Sequence, residues 1–407
     1  MKTFRKIGWI ALGTVVSTTM ASPPTSLEPH PLINDEFELV EGRMSDRNEF
    51  IGNADGWSLL GDESRGISLW RPSSGDGGDA EWFDGLVLAI EADGGRNGIG
   101  QTLSRKPAPG EVLRIGFGLG SRGDREGRVV VSLIDAAGRS IAESAPTPTG
   151  DPGAAGWRRH FVNLAMPEDL VIGDPLTLRF QNVAPSDPSG RGTALLDKIS
   201  VAAVVPDGEG FRPLFNGRNL DGWIGNTKGY GVEGDSIRTY PDRAGGNLYT
   251  ADEFDDFVFR FAFKVPPGAN NGIAVRAPAT GDAAYQGMEI QVLENSHPKY
   301  SGLAPWQFHG SIYGVAAARR GFQAPPGEWN IEEIRMDGRK VMVVLNGAII
   351  MDIDLDDSIR NGTLSGRPHP GVSREGGHIG FCGHGDVVHF KDLRLRDLSG
   401  TKVESSR

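Results

Sequence analysis

The sequence predicts an all-β protein made of two jelly-roll β-sandwich domains, and three observations carry that expectation. Glycine (58) and proline (26) are too frequent for a helical protein of 407 residues. Both punctuate short strands with turns rather than sustain long helices. Apolar runs recur between these turn clusters, several with period-2 alternation. Composition also changes midway: all six Tyr lie beyond residue 229, and six of the eight His lie between 297 and 389. Two separate cores follow, and a chain of this length has material for both.

The elements follow in order. Lys2, Arg5 and Lys6 precede an apolar stretch from Ile7 to Val16 and a small, polar stretch from Ser17 to Ser22. That is the anatomy of a secretory signal peptide over 1–21, cut after Ala21. The apolar stretch is far shorter than the roughly 20 residues that cross a bilayer, so no membrane span is expected. The protein is expected in the periplasm or outside the cell. Residues 22–32 read as a linker. The first sandwich is expected over 33–204, with strand signals such as GLVLAIEA (85–92), VLRIGFGL (112–119), RVVVSLIDA (128–136), LTLRFQNV (176–183) and ALLDKISVAAV (194–204). Gly118, Gly120 and Gly123 match a dinucleotide-binding spacing. A strand rather than a helix follows them, so no phosphate site is expected. Trp57, Trp70, Trp82 and Trp157 suit either sugar stacking or core packing, with packing the commoner use. Residues 205–210 (VPDGEG) form a second linker, 211–398 the second sandwich, and 399–407 a tail.

Charge and cysteine narrow the function. The net charge of −11 leaves no basic face for phosphates, so nucleic acid is excluded as a partner. The single cysteine, Cys382, allows no intrachain disulfide and no cysteine zinc site.

In the second half, FVFRFAFKV (257–265), GIAVRAP (272–278) and GMEIQVLE (287–294) alternate. Glu289 and Gln291 fall on one face, with Ile290 and Val292 on the other, and Arg276 is expected to share the polar face. A sheet with one apolar and one polar, concave face suits sugar binding, because many hydroxyls require many fixed donors and acceptors.

The motifs LFNGRNLDGW (214–223), NNGIAVR (270–276), GMEIQVLEN (287–295), GSIYGV (310–315), PPGEWN (325–330), VLNG (344–347) and GHIGFCGHGDVVHFKDLRLRDL (377–398) occur in order. By them, 211–398 resembles the 3-keto-disaccharide hydrolase family, also described as 3-keto-glucoside 1,2-lyase/hydratase domains. The family fold is concanavalin A-like. Glu294, and Asn271 of the Asn270-Asn271-Gly272-Ile273 run, stand where the family usually has Asp and Ser. The first half resembles galactose-binding-like carbohydrate-binding modules through GIGQTL (98–103), PGEVLRIGFGLG (109–120) and LLDKISV (195–201).

The family resemblance implies a definite chemistry. A ketone at C3 acidifies the C2 proton, and the C1 oxygen is β to that ketone. Loss of the C2 proton expels the C1 substituent, and addition of water gives 3-keto-glucose. Such a site needs a base near C2, donors at the ketone oxygen and an acid at the leaving oxygen. His309 and Tyr313 are candidates for base and acid, Glu289 for base, metal ligand or hydroxyl acceptor, and Arg276 for the ketone oxygen. Asn271, Gln291, Trp306 and His384 are candidate substrate-binding residues, with Trp306 the sugar platform. Each also has a plain structural reading: a hydrogen-bonded loop histidine, a solvated carboxylate, an ion-paired arginine, a turn asparagine. The metal is unknown. A divalent cation at the ketone is chemically attractive, but the histidines show no helix-spaced ligand pair.

The expected substrate is a glycoside or 3-keto-glycoside, with a glycoside 3-dehydrogenase as functional partner. Two alternatives stand beside this. An endo-glycanase needs a carboxylate pair, and Gln291 occupies the alternate position where a second acid would stand. A non-catalytic lectin-like protein would use the same concave faces without chemistry.

Overall fold

The computed structural model describes residues 26–399 except 34, 36–39, 45–48, 55, 61–66, 71–86, 92–97, 123–125, 150–156, 172, 185–191, 241–245. The expected signal peptide and the end of the tail lie outside the described residues. Among those described, no helix is long and apolar enough to cross a membrane. The architecture is two antiparallel β-sandwiches, as the strand patterning predicts.

The first sandwich packs an eight-stranded sheet on a six-stranded one. The larger sheet runs Arg158–Ala165, Val112–Arg122, Thr193–Val204, Val87–Ile90, Ile67–Trp70, Glu49–Ala54, Val40–Met44. Leu27–His30 also pairs with Thr193–Val204, in register from Leu27↔Val204 to His30↔Val201. The segment expected as a linker over 22–32 therefore carries an edge strand. The smaller sheet is centred on Arg128–Ile134, Thr177–Asn182 and Gly98–Thr102. Phe117, Phe180 and Trp57 fill the space between the sheets. Trp157 is buried against Val87, Ala89 and Leu195. A β-carbon on Gly120 would meet its indole at 2.8 Å, so that glycine serves packing rather than phosphate binding. Trp57 and Trp157 are thus not sugar platforms; the Trp70 side chain and Trp82 lie outside the described residues.

The second sandwich has an eight-stranded and a five-stranded sheet. The larger runs Tyr230–Glu233, Ser236–Thr239, His389–Asp397, Phe257–Lys264, Trp329–Asp337, Lys340–Leu345, Ala348–Asp354, with Phe211–Pro213 added on His389–Asp397. The smaller runs Trp223–Gly225, Leu248–Phe254, Gly377–Gly383, Asn270–Ala277, Met288–Leu293. Phe257, Phe259, Phe261 and Phe263 alternate along one strand and meet Phe381 and Phe390 in the core. Phe381 and Phe390 stack with centroids 4.2 Å apart. The apolar faces of both sheets are consumed in this core, which leaves the outer, polar face of the five-stranded sheet to carry the site. The acidic run from Asp352 to Asp356 leaves the strand at Asp354, whose carboxylate accepts from Asp356 N (2.9 Å) and caps the short helix Leu355–Ile359.

The two sandwiches touch directly. Leu27 and Ala202 pack with Ile331, and a β-carbon on Gly347 would meet that of Ala202 at 2.5 Å. Asp207, in the 205–210 linker, pairs with Arg260 (3.2 Å) and with Arg394.

Candidate active site

The neighbouring strands Asn270–Ala277 and Met288–Leu293 set the floor of the site. Their register pairs Asn270 with Leu293, Gly272 with Gln291 and Ala274 with Glu289. Ile273, Val275, Met288, Ile290 and Val292 face the core, so Asn270, Gly272, Ala274, Glu289 and Gln291 face outward. Beside them, Gly272 pairs with Cys382 in the strand Gly377–Gly383. One wall comes from the loop after Met288–Leu293. It folds back so that Gln291 N donates to Ser311 O (2.9 Å), Gly310 N to Gln291 O (2.8 Å) and Tyr313 N to Glu289 O (2.9 Å). The result is an open cleft of about 270 Å3 lined by Asn270, Asp282, Tyr285, Glu289, Gln291, Leu293, Tyr300, Gln307, Tyr313 and His384, among others.

At its floor, Glu289 Oε1 lies 3.2 Å from His384 Nε2. Glu289 is almost fully buried, whereas the His384 side chain is 41% exposed. A carboxylate held by an imidazole that still reaches solvent is a proton-transfer unit. The hydrogen bond that His384 donates to Glu289 raises the His384 pKa above its ordinary value, against the opposing effect of burial. With Nε2–H directed at the carboxylate, Nδ1 keeps the lone pair. Burial pushes the neighbouring Cys382 thiol well above its usual range, with Glu289 adding to it, so Cys382 is a neutral thiol rather than a nucleophile.

Amides and phenols complete the cleft. Gln291 Nε2 donates to Asn270 Oδ1 (3.0 Å), which turns the Asn270 amide nitrogen away from Gln291. Gln307 Nε2 donates to the Tyr313 hydroxyl (3.2 Å), leaving that O–H to donate elsewhere. Arg367 does the same for the Tyr285 hydroxyl (3.1 Å). The Tyr300 hydroxyl is tied to Gly268 O (2.8 Å). Asp386 accepts from Asn270 N (2.9 Å) and fixes the loop that carries His384.

Of the residues singled out from sequence, Glu289, Gln291, Tyr313 and His384 meet in this cleft. Four do not. Asn271 is fully buried on the opposite face of its strand, where its Oδ1 accepts from Gly272 N (2.9 Å); Asn270 takes the cleft position. Arg276 sits at a break in pairing between Ala274 and Ala277, with φ 46°. The extra residue of this β-bulge swings its side chain away from the cleft. There it pairs with Asp256 Oδ1 (3.0 Å) and donates to Asp255 O (2.9 Å). His309 is buried beneath the wall, 3.3 Å from Glu332 Oε2 and with its ring 5.0 Å from Phe263. It is a core pair, not a base open to substrate. Trp306 stands edge-on to Tyr313 (4.9 Å, 89°) and is not among the lining residues, so it backs the cleft rather than forming a platform. Glu294, the family departure, accepts from Gly268 N and Ser296 N (both 2.8 Å); its oxygens serve the turn.

Sequence reasoning missed Asn270, Asp282, Tyr285, Tyr300 and Gln307. Alternation applied one residue earlier finds Asn270, because it shares a face with Gly272 and Ala274. The others sit on the loop and on the single helical turn Ala283–Gln286 capped by Asp282 (Oδ1 to Ala284 N, 3.0 Å), where no periodicity marks them. Among the described residues, no three His, Cys, Asp or Glu side chains converge as metal ligands. Glu289 and His384 alone do not make a closed ligand set for a cation.

Residues 210–396 match the family model of the 3-keto-alpha-glucoside-1,2-lyase-like domain. The chain is 25% identical to a 3-keto-disaccharide hydrolase of Bacteroides thetaiotaomicron over 231 residues, 47% of this chain and 80% of the relative. Two crystal structures of proteins titled "putative glycosyl hydrolase", both from Parabacteroides distasonis, are 26% and 28% identical. They cover 47% and 46% of this chain and 95% and 99% of their own, with TM-scores of 0.42 and 0.41. The outward face of the five-stranded sheet, with its Glu289–His384 pair, lies within the segment, residues 210–396, that is similar to the 3-keto-alpha-glucoside-1,2-lyase-like domain.

Proposed function

We propose that the protein cleaves 3-keto-glycosides by elimination and then hydrates the product to 3-keto-glucose. The family match supports a glycoside hydrolase-like, carbohydrate-active domain. The observation that carries the finer reading is the half-exposed His384 bonded to the buried Glu289 in a cleft lined by amides and phenols. His384 Nδ1 takes the C2 proton, and Glu289 stabilises the imidazolium that forms. Electron density from the broken C2–H bond moves into an enolate at the C3 oxygen, where Asn270 Nδ2 donates a hydrogen bond. As C1–C2 becomes a double bond, the C1–oxygen bond breaks, and the Tyr313 O–H supplies a proton to the departing oxygen. Water then adds at C1 and gives a proton to the Tyr313 phenolate, while the His384 imidazolium returns a proton to C2. The ketone has to be installed by a prior oxidation at C3, as a glycoside 3-dehydrogenase would do. The endo-glycanase alternative is disfavoured because both Glu294 oxygens are occupied in a turn.

Purified protein incubated in D2O with 3-keto-trehalose, and separately with trehalose, tests this. The expected result is 3-keto-glucose carrying deuterium at C2, from the keto substrate alone. Equal turnover of unoxidised trehalose, or no turnover of the keto sugar, would overturn it.

A further inference from the structure

The wall loop that carries Tyr300, Gln307 and Tyr313 does not end in solvent. Its far side, at 319–322, is pressed against the first sandwich. Arg159, on the strand Arg158–Ala165 of that sandwich, is only 2% exposed. Its guanidinium donates to Ser200 Oγ (2.6 Å) and to Lys198 O, and reaches Gly321 O at 3.5 Å. It also lies 4.8 Å from the centroid of the buried Phe322 ring. Arg319 approaches the same ring at 4.9 Å, donates to Ile349 O (3.1 Å) and pairs with Asp35 of the first sandwich (2.7 Å). Phe322 is therefore held by two guanidiniums, one from each domain. Burial lowers the Arg159 pKa to about 9, with Arg114 and Arg319 acting in the same direction and Asp35 and Asp197 opposing it only in part.

Two short routes lead from this contact to the cleft. Gln323, next in sequence to Phe322, donates to Leu293 O (2.7 Å) and accepts from Asn295 N (3.2 Å). Leu293 lines the cleft, and Asn295 Oδ1 accepts from His309 N (2.9 Å). On the other side, Ala318 N donates to Ser311 Oγ (3.0 Å), and Ile312 bridges both Ala316 and Ile290. Tyr313 follows directly.

We propose that the first sandwich is a positioning element of the active site, with Arg159 gripping Gly321 and Phe322 so that the wall bearing Gln307 and Tyr313 is held at the cleft. Arg159 touches no substrate; it acts through Phe322 and Gln323. The activity part of the test rests on the proposed reaction, whereas the amide-exchange part does not.

The test uses the full chain and the variants Arg159→Met, Arg159→Lys and Phe322→Leu. Asn182→Ala serves as control, because Asn182 bonds Ile90 O and Gly192 O inside the first sandwich. Hydrogen exchange is read at 293–295 and 311–323, and kcat and KM are measured on 3-keto-trehalose. Arg159→Met is expected to speed exchange in both segments about tenfold, the scale of losing a desolvated cation–π contact. Its kcat is expected to fall by a similar factor with little change in KM, and Arg159→Lys to recover part of both. Unchanged exchange at 311–323 in Arg159→Met, or the same pattern in Asn182→Ala, would overturn the proposal. Should Arg159→Met fail to fold, Phe322→Leu gives the same reading from the other side of the contact. If the wild-type protein turns over no keto sugar, the proposed reaction fails, and the exchange data still decide the role of Arg159.

Discussion

A β-carbon at position 272 would stand 1.9 Å from Glu289 Oε1. The glycine is thus the seat of the carboxylate, and Gly272→Ala is expected to displace Glu289 and abolish turnover while leaving a folded protein, as circular dichroism beside an activity assay would show. Replacing His384 by Gln is expected to lower kcat about 10²–10⁴-fold, the range for losing a positioned acid–base group. The pH profile follows from the direction of the shift. Because Glu289 raises the His384 pKa above 6.5, the neutral, proton-accepting form grows in only above that value, and kcat/KM should rise with pH through the raised pKa. In Glu289→Gln the rise should move to lower pH, since burial, the opposing influence, then prevails; an unmoved limb would exclude His384 as the base. The same linkage means that the ion pair stabilises the fold fully below pH 6.5 and loses that contribution as pH rises through the folded-state pKa. At this scale Glu289 and Gln291 were legible because alternation and chemical type agreed, whereas Tyr313 and His384, outside the strands, were legible from chemical type alone. Asn271 was not, because a one-residue step along a strand reverses the face.

The Asn270–Ala277 strand shows what an element adds. Its first half obeys the period of two. Its second half contains the bulge at Arg276, which takes the side chain off the polar face and into a pair with Asp256 (3.0 Å), both nearly fully buried. Arg276→Met is therefore expected to destabilise the fold by about 3–5 kcal/mol, as expected when one partner of a buried ion pair is removed. Denaturant unfolding measures this, and the His384-dependent pH limb should remain in whatever folded fraction persists. No local signal announces the bulge, since an extra residue is absorbed only where the neighbouring strand, here Gly377–Gly383, fixes the pairing on either side. His309 follows the same logic. Its loop position suggested a reactive base, but the loop folds over the sheet and delivers it to Glu332 and Phe263 in the core.

At the scale of the whole molecule, export is proposed from the first 21 residues, and the mature protein should begin at Ser22 when its N-terminus is sequenced from periplasm or medium; a cytoplasmic protein beginning at Met1 would refute it. The first sandwich, read from sequence as a carbohydrate-binding-like module, presents Trp57 and Trp157 to its interior and Arg159 to the second domain. By itself the sequence determined the all-β class, the strands and the polar face of the second sandwich. These are properties of composition and of the two-residue period, which every stretch of chain carries locally. Only the tertiary structure decided which candidates share a cleft, that Glu289 bonds His384 across 95 residues of sequence, and that the two sandwiches meet at Phe322. Those outcomes depend on bulges, loop returns and contacts between distant segments, where the position of a side chain is set by what it packs against rather than by its neighbours in sequence.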